Sequence, residues 1–163
     1  MNTKKLTTLS ATVALAMILS FIETLIPPLV AVPGVKIGLA NIVTVFLLYT
    51  YGYKEAFFVS FIRVSLSSLL FGSAVSLIYS IAGAMLSLVG MILIKLIPFA
   101  SCPSVSICGG VLHNAAQIIC ACLIMENAAI ALYLPPLIVS GTISGVAIGI
   151  TASILVKKLK GKI

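Results

Sequence analysis

Apolar residues run through this chain in blocks about one bilayer thick, with polar residues gathered at the joints and at a few positions inside. The blocks cover residues 6–26, 37–51, 56–71, 73–97, 105–125 and 137–156. They do not alternate with a period of two, as a membrane β-barrel strand would, but stay apolar through stretches such as Val89-Gly90-Met91-Ile92-Leu93-Ile94. A helix needs about 20 such residues to cross a bilayer. The pattern therefore predicts an all-α membrane protein, a single integral domain over residues 1–163 forming a compact bundle of six transmembrane helices.

The joints carry their own signals. Pro27-Pro28 ends the first helix because proline cannot continue the hydrogen-bond ladder, and Tyr51-Gly52-Tyr53-Lys54-Glu55 makes the turn between helices 2 and 3. The apolar run from 56 to 94 is too long for one crossing, and Gly72-Ser73 is where it folds back. Lys95, Pro98 and Pro103 mark the next loop; Glu126 and Asn127 precede an interfacial piece at 128–134, and Pro135-Pro136 opens the last helix. Helix 2 is short for a bilayer, a feature that often accompanies a binding site in transporters.

Composition agrees and removes whole classes of function. Hydrophobic residues make up 61% of the 163, charged ones 8%, and mean hydropathy is +1.30, values of an integral membrane protein. A net charge of +7 would point to nucleic acid in a soluble domain. Here Lys4 and Lys5 precede the first helix and Lys157, Lys158, Lys160 and Lys162 follow the last, so the charge reads as topology and no nucleic-acid partner is expected. With six crossings both termini fall on the cytoplasmic side of a bacterial plasma membrane, together with Lys54 and Lys95, and only Lys36 falls outside. The first apolar stretch has no small-residue cleavage site and reads as a retained span.

Two stripes of small residues suit close helix packing. Thr8, Thr12, Ala16 and Ser20 recur every fourth residue in helix 1, and Gly141, Gly145, Gly149 and Ser153 do so in helix 6. The first stripe is open to two readings: packing inside the bundle, or docking of a separate membrane subunit.

Polar groups inside the apolar blocks are the candidate chemistry, since hydrocarbon leaves them unsatisfied. Gly109-Gly110-Val111-Leu112-His113-Asn114-Ala115-Ala116-Gln117 holds the one histidine of the chain. At helical spacing His113 and Gln117 stack, and Asn114 stands beside them. Arg63 lies mid-span in helix 3, either bridged to Glu23 or facing an anionic ligand, which a guanidinium in low dielectric favours. Asn41 and Lys36 lie near the positive end of helix 2. The substrate-binding set is thus Lys36, Asn41, Arg63, His113, Asn114 and Gln117. The alternative for His113 and Asn114 is a satisfied inter-helix node. There is no aspartate, and the three glutamates are far apart, which speaks against Asp-rich magnesium sites and two-carboxylate hydrolysis. No catalytic residue, metal site or cofactor is assigned, and the four cysteines read as free thiols.

Taken together, Pro33-Gly34-Val35-Lys36-Ile37-Gly38-Leu39-Ala40-Asn41-Ile42, Arg63 with Ser67-Ser68-Leu69-Leu70-Phe71-Gly72-Ser73, Tyr79-Ser80-Ile81-Ala82-Gly83 and the 109–117 run resemble the Gx transporter family, also labelled heptaprenyl diphosphate synthase component I. Small-for-small departures stand at Gly109-Gly110 and Ala116. That family is similar to the substrate-binding S components of energy-coupling factor transporters. The resemblance implies six helices, a small micronutrient or precursor bound near the outer face, and partners in a shared transmembrane coupling subunit and its ATPase subunits. It places the docking surface on the small residues of helix 1: Thr8, Thr12, Ala16 and Ser20. The other label implies a different role, a non-catalytic membrane subunit beside isoprenoid or quinone biosynthesis; flavin-based electron transfer is a further alternative.

Overall fold

A computed structural model describes residues 3–25 and 38–159. Among them are six α-helices and no strand: α1 (Thr3–Leu25), α2 (Asn41–Thr50), α3 (Tyr53–Phe71), α4 (Ala74–Lys95), α5 (Cys102–Ile124) and α6 (Leu134–Leu159), with a 3₁₀ segment at Ala128–Tyr133 before α6. The fold is an all-α membrane bundle. Four stretches are long and apolar enough to cross a bilayer by themselves: α1, α4, α5 and the continuous Ala128–Leu159. At 1.5 Å per residue α3 reaches roughly 28 Å, close to the hydrocarbon thickness, while α2 reaches only about 15 Å.

The boundaries differ from the sequence reading at several helix starts, for local reasons, and at two ends, with α4 stopping at Lys95 instead of 97 and α6 running to Leu159 instead of 156. Helix 2 begins at Asn41, not near 37, because Gly38 adopts φ +77 and closes a turn in which the Asn41 N–H donates to the Gly38 carbonyl at 2.8 Å. A left-handed residue cannot propagate a right-handed helix. Helix 5 begins at Cys102 instead of 105, with Ser101 as its cap accepting from the Ser104 N–H at 3.3 Å and Pro103 in its first turn. Helix 6 begins at Leu134 instead of 137, with Pro135 and Pro136 inside its first turn. Proline is tolerated there because first-turn N–H groups have no intrahelical partner to lose. Ser73 caps α4 in the same way, accepting from the Ser76 N–H at 3.1 Å.

The helices pack in the order α1, α3, α4, α5, α6, and α2 fills the space between α6 and α3. Six of its ten residues are buried, including Leu47 and Leu48, which accounts for its apolar character all round. Val45, Leu47, Leu88, Val105 and Ala152 form the centre of the core. The outer surface is apolar as lipid requires: Leu93, Leu123 and Ile143 are each exposed by 60% or more.

In lipid, association depends on fit rather than on expulsion of water, and the α5–α6 seam shows how close that fit is. A Cβ placed on Gly110 would stand 2.5 Å from the Gly141 carbonyl oxygen, one on Gly145 2.6 Å from Ile107 Cα, and one on Gly149 2.4 Å from Pro103 Cα. The helix 6 stripe therefore packs within the chain. So does the inner end of the helix 1 stripe: Ala16 and Ser20 are buried in the bundle, while Thr8 and Thr12 are only partly covered. The surface α1 leaves open consists instead of large apolar side chains such as Leu15, Ile18 and Leu25.

Charge is segregated along the bundle axis. Lys5 pairs with Glu55, and Lys95 donates to the Leu48 carbonyl from above the Tyr49 ring at the same end. Lys54, Lys157 and Lys158 occupy that end as well, by their places on α3 and α6.

A polar cavity shared by six helices

A cavity of about 130 Å³ runs from the lysine-poor end of the bundle past its middle, as far as Met91 of α4 and Ser106 of α5, and is lined from all six helices. Asn41, Arg63, His113, Asn114 and Gln117 all stand on its wall, together with Glu23 and Ser20. Of the six residues read as substrate-binding, five are thus brought to one place, and Lys36 lies outside the described residues. Of the helix 1 stripe, only Ser20 reaches the cavity.

Two groups of side chains face each other across it. On one side are α1, α2 and α3. The Arg63 guanidinium reaches Ser20 Oγ at 3.4 Å and Asn41 Oδ1 at 3.5 Å, both long for hydrogen bonds and both to neutral oxygens. Its Nε, like Ser67 Oγ beside it, is buried with no hydrogen-bond partner among the described residues. The bridge to Glu23, one of the two readings of Arg63, is absent among the described residues. Glu23 acts on Arg63 only at a distance and spends its carboxylate on the Gly38 N–H, holding the turn that starts α2. Asn41 is the first residue of α2, and its side-chain amide stands on the cavity wall within reach of Arg63.

On the other side are α4, α5 and α6. Asn114 is buried and donates to the Leu137 carbonyl at 2.7 Å, tying α5 to the first turn of α6. That part of the satisfied-node reading holds. His113 and Gln117 project between, toward Gly83 of α4: a Cβ there would stand 2.9 Å from His113 Cε1 and 3.1 Å from Gln117 Cγ. The Tyr79-Ser80-Ile81-Ala82-Gly83 run thus meets the 109–117 run through its glycine, which gives the imidazole its room.

The remaining lining was not legible in the sequence. Serines 67, 68, 76, 80, 87, 106 and 144 all face the cavity, and Phe71 is the one Phe, Tyr or Trp on its wall among the described residues. A serine in an apolar helix can satisfy its hydroxyl on its own backbone four residues back, so singly it gives little signal. The spacing of Ser76, Ser80 and Ser87 on one face of α4 was the available clue. Among the described residues no three His, Cys, Asp or Glu side chains come together as a metal site would need, and the four cysteines are free thiols.

Residues 12–155 match the family described as heptaprenyl diphosphate synthase component I. The chain belongs to this family. No curated protein and no solved structure matches it. The name of the family makes its members one component of an assembly, while among the described residues the cavity wall carries one carboxylate, Glu23.

Proposed function

We propose that this protein is a solute-capture subunit of a bacterial plasma membrane importer, similar to the S components of energy-coupling factor transporters. The observation that carries the reading is the convergence of Asn41, Arg63, His113, Asn114 and Gln117, drawn from three different helices, on one cavity. Polar groups in a bilayer interior are costly unless they serve a ligand or one another, and here they share a space. The positive-inside rule sets the lysine-rich end in the cytoplasm, so the cavity opens toward the outer face. The chain is not an enzyme in this reading: it binds, and partner ATPase subunits acting through a coupling subunit supply the energy. Thr8 and Thr12 remain the accessible part of the small-residue stripe on which that subunit would dock.

The family name favours a second reading, a non-catalytic membrane component beside a prenyl diphosphate synthase. With no aspartate in the chain, the magnesium–diphosphate chemistry would belong to the partner. Reconstitution separates the two. The full chain with coupling and ATPase subunits in proteoliposomes should accumulate a solute from a small-molecule extract only with ATP. Failure to accumulate anything, combined with stimulation of a purified prenyl synthase, would replace the first reading by the second.

A further inference from the structure

We propose that the solute taken by this cavity is a small, non-aromatic organic oxyanion, a carboxylate or phosphate ester carrying hydroxyl or carbonyl groups, with its anionic end on Arg63. The inference rests on the capture reading and narrows it to a substrate class.

Three observations carry it. The first is the state of Arg63. Among the described residues its planar fork of five donors touches two neutral oxygens at 3.4 and 3.5 Å, its Nε has no partner, and Glu23, whose Oε1 accepts from the Gly38 N–H, forms no ion pair with it. A guanidinium so placed favours a bidentate oxyanion, and Ser20, Asn41 and Ser67 stand around it as neutral donors to that group. The second is the opposite wall. Gln117 and the α4 serines offer hydrogen bonds without a charge, which suits hydroxyl or carbonyl groups of the same molecule. The third is size and surface. At about 130 Å³ the space is close to that of an engineered cavity that holds one benzene, so it suits roughly six to ten non-hydrogen atoms. A prenyl chain of seven isoprene units exceeds this several-fold and would meet hydroxyls along its length. With Phe71 the one Phe, Tyr or Trp on the wall among the described residues, ring stacking has little part in recognition.

The test uses the full chain in mild detergent and native mass spectrometry against a bacterial small-molecule extract, divided by ion exchange into anionic and non-anionic pools. The expected result is a bound adduct of small mass from the anionic pool alone. Arg63→Gln should weaken it roughly 10- to 100-fold, and Arg63→Lys, which keeps the charge but loses the fork, should fall between. Gly83→Val, which drives a side chain against His113, should abolish binding with Arg63 intact. Folding of each variant is read from its elution profile. Binding from the non-anionic pool, an adduct of phospholipid mass, or undiminished binding by folded Arg63→Gln would overturn the proposal while leaving solute capture standing. No adduct from either pool with wild-type protein would overturn solute capture and the proposal together.

Discussion

Arg63 and Asn114 line the same cavity, yet they should respond to substitution in opposite ways. Arg63 is a charge held by weak contacts, and charge buried without a partner costs stability. Arg63→Gln should therefore leave thermal stability in detergent unchanged or raised, even as it removes binding. Asn114 holds a 2.7 Å bond between two helices, so Asn114→Ala should destabilise by about 0.5–2 kcal/mol. Thermal denaturation followed by size-exclusion chromatography distinguishes them, and equal losses would show that Arg63 is structural. At the other end of the bundle the Lys5–Glu55 pair has side chains 38% and 18% exposed. Water screens such a pair, and Glu55→Gln should cost less than about 1 kcal/mol.

Among the elements, the α5–α6 seam is the one that a single methyl group should disturb most. Backbone atoms, not flexible side-chain ends, stand where new Cβ atoms would go at Gly110, Gly145 and Gly149. Gly145→Ala and Gly149→Ala should each cost about 1–3 kcal/mol through forced separation of the helices. Ile143→Ala, two-thirds exposed on the lipid side of the same helix, serves as the comparison and should cost little. The helix 6 stripe was readable from its four-residue spacing. That it meets α5 was not, because small-residue spacing looks alike whether the neighbour belongs to the same chain or another. Helix 1 makes the same point in reverse: Ser20 ends a stripe read as a docking surface, yet it turns inward and touches Arg63.

For the molecule as a whole, the proposed orientation rests on lysines gathered at one end of the bundle. In a background with the four cysteines replaced by alanine, Lys158→Cys should react with a membrane-impermeant thiol reagent only after the membrane is opened. Asn127→Cys, between α5 and the 3₁₀ segment, should react in intact cells. The reverse pattern would put the cavity mouth on the cytoplasmic side and remove import as its purpose. Short α2 gives the cavity its place. It is about half the length of its neighbours, and Asn41 at its start and the Glu23-held turn at Gly38 line the cavity beside Arg63.

The membrane class, the six helices, and the unusual standing of Arg63, His113, Asn114 and Gln117 were determined by the sequence alone. Each follows from one local fact: hydrocarbon accepts apolar side chains and penalises polar ones, wherever the rest of the chain goes. Proline positions were legible as joints but ambiguous as stops or starts, since Pro103 and Pro135 sit in first turns where the missing N–H costs nothing. Only the tertiary structure decided that Glu23 holds Gly38 and leaves Arg63 without an ion pair, that serines from five helices complete the wall, and that Gly83 makes space for His113. Those relations join residues far apart along the chain, and they arise from which helix faces meet, a choice that periodicity within any one helix does not contain.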